Sequence, residues 1–253
     1  MKTLKLILMN SFLMFSTVTF GQDLIPPGTI IPIRLNSSFS LKTKPGSTLT
    51  ARVMQDVPLS TSAKIRAGTK VIGRVTNVTI PTNGANGRVS FVFDKLMISK
   101  RTIPITTDLR AMASFVEVEE AQIPQSGSDR GTPETAWTTV LVGGDINYRG
   151  GGPVMEGSNI VGRPTFDGVL SQLASKPGAD CRARIDGNDR PQALWIFSAD
   201  ACGMYGFPAV RIAHAGRTDP AGVIVLASQG KNLRISGGSG MLLRAIDDNR
   251  KAT

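Results

Sequence analysis

The sequence predicts an all-β fold, an antiparallel β-barrel or sandwich that carries one short helix and a hairpin region tied by a disulfide. A Gly-Thr turn followed by an alternating apolar run occurs twice, at Gly28-Thr29 and at Gly68-Thr69. This is the pattern of a tight turn that leads into a half-buried strand. Aromatic residues make up only 6% of the chain, while 27 glycines and 15 prolines indicate many turns. Both observations favour short strands joined by tight loops over an α/β enzyme.

Residues 1–21 are predicted to be a signal peptide. Lys2 and Lys5 precede an apolar run that ends near Phe20, the arrangement that directs a chain to export. Polar residues interrupt this run, which falls short of the ~20 apolar residues of a membrane-spanning helix. No transmembrane segment is expected after it. We therefore expect an exported protein, periplasmic or secreted.

Residues 22–116 are predicted to form the first β half. Apolar and polar side chains alternate along 31–35 and again along 89–93, which puts one set of side chains on one face of each strand. Turn-forming residues separate the strands at 44–47 and at 82–87, where Asn-Gly steps supply the positive φ that hairpin turns need. An antiparallel meander is therefore expected.

Hydrophobic periodicity disappears over residues 117–136, which are predicted to be a flexible loop between two halves. Residues 137–253 are predicted to form a second β half. A Gly-rich stretch at 143–153 lacks the Gly-Lys-Ser/Thr ending of a phosphate-binding loop, so it is interpreted as a turn. The last strand, 239–247, follows an echo of the Gly-initiated turn and is expected to rejoin the barrel.

One short helix is predicted near residues 164–175. Phe166, Val169, Leu170 and Leu173 recur there at helical spacing, and a Pro-Gly pair follows them. A helix this short is expected to cover one opening of the sheet through core packing.

Cys181 and Cys202 are the only cysteines. In a chain bound for an oxidising compartment, two cysteines predict one disulfide. Closing a loop of this size stabilises a fold by roughly 3 kcal/mol in the chain-entropy model. The alternative makes Cys202 a nucleophile with His214 as its base, but the sequence lacks the signature of a cysteine enzyme.

The formal net charge is +10, and loss of Lys2 and Lys5 with the signal peptide leaves +8 on the mature chain. A basic exported protein suits anionic lipid headgroups, acidic wall polymers or an acidic partner. The Lys and Arg residues are scattered singly, apart from Lys100-Arg101, and lack interleaved aromatic residues. Nucleic-acid binding is therefore not expected. The expected partner is an envelope polymer or an envelope protein, with a homo-oligomer as a further option.

No catalytic residue, metal site or cofactor is predicted. His214 is the only histidine, which excludes a histidine-rich metal site. A Ser-His-Asp arrangement would have to combine it with Ser198 and either Asp200 or Asp219. We interpret His214 as a hydrogen-bonded loop or core residue.

Paired carboxylates for glycoside cleavage are the remaining enzymatic hypothesis. The candidates lie near Trp195 and Tyr205, whose rings suit sugars: Asp180, Asp186, Asp189 and Asp200. Acidic residues between strands are more often turn formers, so this hypothesis ranks last.

The candidate binding surface is the tip around the predicted disulfide, with Trp195, Asp200, Tyr205 and Phe207. Loops held rigid by a covalent link make good recognition surfaces. The alternative is that these aromatic side chains fill a second small core.

A family resemblance rests on four stretches: the turn and strand at 27–35, the turn and strand at 67–75, Gly87-Arg88-Val89 with Phe91, and the closing Gly240-Met241-Leu242-Leu243-Arg244. Together they resemble the TrbI-type β-barrel of conjugation and type IV secretion channels, over residues 25–110 and the last strand. The resemblance implies a barrel that assembles into a ring in an outer-membrane core complex. The predicted cleavable N-terminus and the lack of an apolar hairpin depart from that family, so a stand-alone exported relative is expected.

The second half carries a separate phrase, from Gln192 to Gly206. It resembles uncharacterised exported bacterial proteins and implies kinship without an activity. The function expected from the sequence is an exported, non-catalytic β-barrel module that serves as a cell-envelope scaffold or binding domain. The alternatives are a TrbI-like subunit of an envelope-spanning secretion channel and a glycan-acting hydrolase.

Overall fold

The computed structural model describes most of the chain after the predicted signal peptide. The described residues are 25–81, 86–126, 130–133, 136–148, 150–174, 190–229 and 232–247. The predicted signal peptide, Cys181, Asp180, Asp186 and Asp189 lie outside them.

The described residues form one helix, α1 (Phe115–Glu120), and twenty strands. The strands are Ile30–Leu35 (β1), Phe39–Ser40 (β2), Thr48–Val53 (β3), Val57–Pro58 (β4), Lys64–Ile65 (β5), Lys70–Thr79 (β6), Gly87–Ile98 (β7), Arg101–Pro104 (β8), Thr107–Ala113 (β9), Thr138–Val140 (β10), Ile146–Tyr148 (β11), Val154–Glu156 (β12), Asn159–Thr165 (β13), Gly168–Ser171 (β14), Gln192–Ala193 (β15), Gly203–Tyr205 (β16), Val210–His214 (β17), Ile224–Ser228 (β18), Arg234–Ile235 (β19) and Gly240–Ala245 (β20).

Ten of these strands form one barrel-like sheet. Its order is β16-β9-β20-β1-β3-β6-β7-β18-β17, and β8 also pairs with β7. Two hydrogen bonds join β9, which lies beside one end of this order, to strands at the other end. Leu109 N in β9 donates to Ala215 O just after β17 at 2.8 Å, and Thr107 Oγ1 in β9 donates to Phe93 O in β7 at 2.9 Å. The sheet is nearly closed, and the prediction of an all-β, barrel-like fold with one short helix is confirmed.

Four neighbouring strands of this sheet begin with the same turn. In each, a glycine with φ between +82° and +88° precedes Thr or Ser, and glycine adopts this conformation without steric cost. The glycine N–H donates to the carbonyl of a partner residue on a neighbouring strand, whose N–H donates back to the Thr or Ser carbonyl. The turns and their partners are Gly28-Thr29 with Ala245, Gly46-Ser47 with Val75, Gly68-Thr69 with Val53 and Gly238-Ser239 with Leu35. The repeated phrase of the sequence therefore starts β1, β3, β6 and β20.

Strands from both predicted halves build the barrel. β1 pairs with β3 on one side and with β20 on the other, and β20 also pairs with β9. The strand nearest the C-terminus thus lies between two strands from the first half. β16, β17 and β18 contribute the remaining strands from the second half.

Apolar side chains fill the barrel interior. Ile31 and Ile33 of β1, with Phe91 and Phe93 of β7, are at most 1% exposed. The rings of Phe39 and Phe91 lie with their centroids 5.0 Å apart. Burying each such side chain stabilises a fold by roughly 1.5–3 kcal/mol. The alternation along the strands therefore produces the first core.

A second sheet covers one side of the barrel. β10 to β15 form a six-stranded antiparallel meander. Val154 of β12 and Val169 of β14 belong to a second core cluster, together with Ile30 of β1 and Leu242 of β20. Because this cluster packs outside the barrel, β1, β9 and β20 are buried on both faces.

The helix predicted near 164–175 is wrong. β13 and β14 form a hairpin there, in which Pro164 is paired with Val169 and Thr165 with Gly168. Gln55 Nε2 donates to Val169 O at 2.8 Å, and Leu194 N donates to the same carbonyl at 3.0 Å. Tertiary hydrogen bonds thus satisfy the backbone as a strand, and a short apolar run does not distinguish a helix from a strand by spacing alone.

The helix of the described chain starts in the segment before the predicted flexible loop, and 117–120 are helical. Ser114 is its N-cap, and the Ser114 hydroxyl accepts a hydrogen bond from Glu117 N at 3.3 Å. Ser-x-x-Glu is the sequence signature of a capping box. The sequence pattern did not predict α1, because α1 has only one buried residue, Val118, and so lacks the apolar stripe by which a helix is recognised.

Candidate functional site

Four charged side chains lie together at one side of the barrel, between β9, β20 and the chain that follows β17. We call Asp108, Arg110, Arg217 and Arg244 the arginine cluster. Asp108 is 0% exposed and Arg110 is 3% exposed, while the side chains of Arg217 and Arg244 are 15% and 11% exposed. Charged side chains buried this deeply need partners, so we describe which groups each of them binds.

A β-bulge directs Arg110 away from the barrel core. Leu109 is paired with Leu243 and Ala111 with Leu242, so Arg110 is an extra residue in β9. Leu109 and Ala111 would share a face in a regular strand, yet Leu109 belongs to the barrel core and Ala111 to the second core. Bulges redirect side chains in this way.

Asp108 binds two of the arginines. Its Oδ2 accepts hydrogen bonds from Arg244 Nη2 at 2.5 Å and from Arg244 Nε at 3.0 Å, and Arg217 Nε lies 3.6 Å from the same oxygen. Burial raises the pKa of Asp108, and the three arginines oppose that rise. Among the described residues, Oδ1 has no hydrogen-bond partner.

Arg110 binds the peptide backbone. Its Nη2 donates to Ala199 O at 3.0 Å. Burial and, to a smaller extent, the charges of Arg217 and Arg244 together lower the pKa of Arg110 to about 10, against the opposing effects of Tyr205 and Asp200. The guanidinium therefore holds the segment that follows β15.

Asp145 holds the same residue, Ala199, through its backbone N–H. Its Oδ2 accepts a hydrogen bond from Ala199 N at 2.6 Å. Burial, opposed by the hydrogen bond from the Ala199 N–H and aided by the charges of Asp200 and Glu156, raises the pKa of Asp145 to about 6. Arg110 and Asp145 together fix the backbone of Ala199 beside the predicted binding tip.

Gly143 allows the turn after β10 to pack closely against Ser198 and Ala201. It has φ +106°, and a Cβ placed on it would lie 2.2 Å from Ser198 Oγ. Ser198 Oγ in turn donates to Asp200 Oδ1 at 2.6 Å. Gly143 and Gly144 therefore form a turn that packs under the tip, while Ile146–Tyr148 of the stretch predicted to be a turn form β11.

The predicted tip residues divide into buried and partly exposed groups. Trp195 is 6% exposed and belongs to the second core, and its backbone N–H donates to Gln55 Oε1 at 2.6 Å. Its burial favours the alternative interpretation, core packing. Asp200, Tyr205 and Phe207 are half-buried, and binding at these three residues stays a prediction.

Cys202 is buried at the base of the tip, 4% exposed. Its N–H donates to the Tyr205 hydroxyl at 3.0 Å, and its Sγ lies 3.4 Å from Arg110 O. No free cysteine occurs among the described residues. Because Cys181 lies outside them, the pairing of the two cysteines stays a prediction.

His214 makes its hydrogen bonds within its own region of the chain. Nδ1 lies 2.7 Å from Val223 O and Nε2 lies 3.2 Å from Thr218 Oγ1. The hydrogen bonds agree with the interpretation of His214 as a hydrogen-bonded loop or core residue, and the structure places it at the end of β17, half-buried. Within the described ranges, no three His, Cys, Asp or Glu side chains are grouped as metal ligands.

Sequence reasoning missed the arginine cluster and Asp145. Asp108 and Arg110 lie in a strand whose seven residues are all buried. Two charged residues in a run that is otherwise suited to a buried strand are the signal that could have found them.

A second charged feature crosses the outside of the barrel, and we call it the cationic row. Arg34 of β1 lies opposite Arg52 of β3, and Arg52 lies opposite Lys70 of β6. Lys95 of β7 lies opposite Ile72, two residues along β7 from Met97, the residue opposite Lys70, and is therefore a diagonal neighbour of Lys70. Arg52, Lys70 and Lys95 are exposed. Sheet register brings together cations that are scattered along the sequence.

A cleft of about 390 Å³ lies between α1 and the turn after β10. Its lining includes Glu117, Glu120, Gln125 and the chain from Val140 to Gly144. The two carboxylates are the only charged groups among its described lining, and we assign no ligand to it.

No helix in the part of the chain that the structure describes has the length and apolar character to cross a bilayer. The chain matches no protein-family model and no curated protein.

Proposed function

We propose that the protein is an exported, non-catalytic β-barrel module that serves as a scaffold or binding domain in the cell envelope. One observation carries the proposal: the buried charged groups bind one another and the backbone of Ala199. In an enzyme, such groups would be directed at a substrate. Here the buried charged groups join the second sheet and the tip to the barrel, which supports the role of a rigid scaffold.

The disulfide between Cys181 and Cys202 is part of this proposal. Cys202 lies at the base of the tip that carries Asp200, Tyr205 and Phe207, so a covalent link there would hold the proposed binding surface rigid. We expect the mature protein to take up a thiol-specific alkylating label only after reduction, measured by intact mass. Labelling of two thiols without reduction under denaturing conditions would overturn the pairing.

The export and binding proposal is tested in the envelope itself. The full chain is expressed, the cells are fractionated, and the N-terminus of the recovered protein is determined by mass spectrometry. We expect a mature form that begins near residue 22 and sediments with envelope fragments. An intact N-terminus in the cytoplasmic fraction would contradict the proposal.

The second candidate function is a TrbI-like subunit of an envelope-spanning channel. An apolar row on the second sheet supports it: Val140 lies opposite Ile146, Ile146 opposite Met155, and Met155 opposite Ile160. Val140, Ile146 and Ile160 are 43%, 38% and 71% exposed, and exposed apolar patches mark contact surfaces. Light scattering on the gently extracted protein separates the candidates, because a ring has many times the mass of a monomer.

A further inference from the structure

The cationic row consists of side chains that repel one another. Directly opposite residues on paired strands have Cβ atoms about 4.5–5.5 Å apart, and like charges at that distance destabilise a sheet. Arg34 and Arg52 are opposite each other, and so are Arg52 and Lys70. Three interstrand spacings of about 4.8 Å give the row a length of roughly 14 Å from β1 to β7.

Only the first member of the row has a partner that offsets its charge. Arg34 Nη2 forms an ion pair with Glu119 Oε1 at 2.5 Å, and its guanidinium lies 5.9 Å from the centre of the Phe115 ring. Among the described residues, no carboxylate is paired with Arg52, Lys70 or Lys95. Three cations thus face solvent on adjacent strands, and an anion bound between them would remove their repulsion.

The surroundings of the row favour a polymer over a membrane. Its neighbours are Thr48 and Thr50 on β3, which are short polar residues, and the half-buried Ile72 and Met97, which lie opposite Lys95 and Lys70. A protein that docks on a lipid surface needs apolar side chains to insert beside its cations. Among the large exposed apolar side chains of the described residues, Ile146, Ile160 and Phe166 belong to the second sheet and its turns, and Phe115 lies only at the Arg34 end of the row.

Single-stranded nucleic acid binds where its bases can stack on exposed aromatic side chains. One exposed aromatic side chain, Phe115, lies beside the row, but it lies at the Arg34 end, where Glu119 already offsets the charge. Phe91 and Phe93, on the same strand as Lys95, are buried in the barrel core. Arg52, Lys70 and Lys95 therefore suit a partner that is recognised through its negative groups.

We propose that the cationic row binds a linear polyanion of the cell envelope, a polymer whose repeating units carry phosphate or carboxylate groups. The inference rests on the proposed function, since it names the partner that an exported binding module would meet. Arg52, Lys70 and Lys95 supply the contacts, and Arg34 marks the end of the row, held by Glu119. Binding relieves the repulsion between the opposed cations, so the polymer contributes more than a charge contact at an isolated lysine.

The test uses the mature protein and two labelled polymers, a poly(glycerol phosphate) and a polyglucuronate, in anisotropy titrations over a series of salt concentrations. The variant combines Arg52→Gln, Lys70→Gln and Lys95→Gln. We expect at least about a tenfold loss of affinity, and a slope of log affinity against log salt that is shallower by about two, since each released counterion contributes about 0.7. Comparison of the two polymers tells phosphate from carboxylate as the preferred group.

The matched control removes three exposed cations outside the row, by Arg163→Gln, Arg211→Gln and Arg234→Gln. It changes the net charge equally and is expected to retain the affinity within about threefold. Equal losses in both variants would overturn the proposal, because binding would then follow net charge alone. Binding to vesicles of anionic lipid without binding to either polymer would overturn it in favour of a membrane.

Two further measurements keep the outcomes separate. The row variant is expected to melt no lower than the native protein, because it loses a repulsion, so lost binding will not reflect unfolding. If the protein fails to reach the envelope but still binds polymer in solution, the proposed function fails and the site remains. If it reaches the envelope and the row variant binds polymer normally, only the site fails.

Discussion

Ala199 shows how single residues decide the shape of this protein. Its carbonyl accepts from Arg110 and its N–H donates to Asp145, so the two peptide groups that flank its Cα are held by buried side chains of opposite charge. Hydrogen bonds to charged groups contribute about 1.5–3 kcal/mol each. Neither residue could be assigned from the sequence, because the partner of each is a backbone group more than fifty positions away.

Substitution of Asp145 is predicted to alter how stability depends on pH. The pKa of Asp145 is about 6 in the fold against an ordinary 3.8, so between these values the folded state keeps a proton that the unfolded state has lost. Stability therefore falls as pH rises from about 4 to about 6. Asp145→Asn removes this loss, so between pH ~4 and ~7 the variant should gain stability relative to the native protein, by at most about 3 kcal/mol. Urea unfolding across this pH range checks it, and a constant difference would contradict it.

At the scale of elements, the sequence predicted strand starts better than it predicted the helix. The Gly-Thr phrase reflects a local requirement: a glycine with positive φ, followed by a residue whose carbonyl accepts a hydrogen bond from the neighbouring strand. Such a phrase can be recognised without knowing the fold. The apolar spacing of 166–173 is compatible with either a helix or a strand. The hydrogen bonds of Gln55 and Leu194 to Val169 O stabilise the strand. Elements fixed by long-range hydrogen bonds are those that sequence reasoning misses.

The hairpin makes a prediction that the helix would not. Phe166 lies in the turn and is 108% exposed, whereas Val169 is 0% exposed. Val169→Ser should destabilise the fold by about 2–3 kcal/mol, because it creates a cavity and buries a hydroxyl. Phe166→Ser should change stability by less than about 0.5 kcal/mol. Urea unfolding of both variants measures this, and similar large losses would indicate that both side chains share a buried stripe.

At the scale of the whole molecule, composition predicted an all-β fold but not how the chain is layered. Turn frequency and alternation were enough for the barrel. They did not reveal that β1, β9 and β20 are covered on both faces, although Ile30 and Ile31 are consecutive apolar residues and both are 0% exposed. The cationic row was hidden for the same reason, since Arg52 and Lys70 become neighbours only through the register of β3 and β6.

The position of β20 between β1 and β9 has a consequence for synthesis. β20 follows both β1 and β9 along the chain, so the edges of β1 and β9 that face it stay unpaired until β20 has been made. Contacts between residues this far apart in sequence form slowly. Until then β1 and β9 each present a row of unpaired backbone groups, which is the kind of edge on which other chains can pair and aggregate.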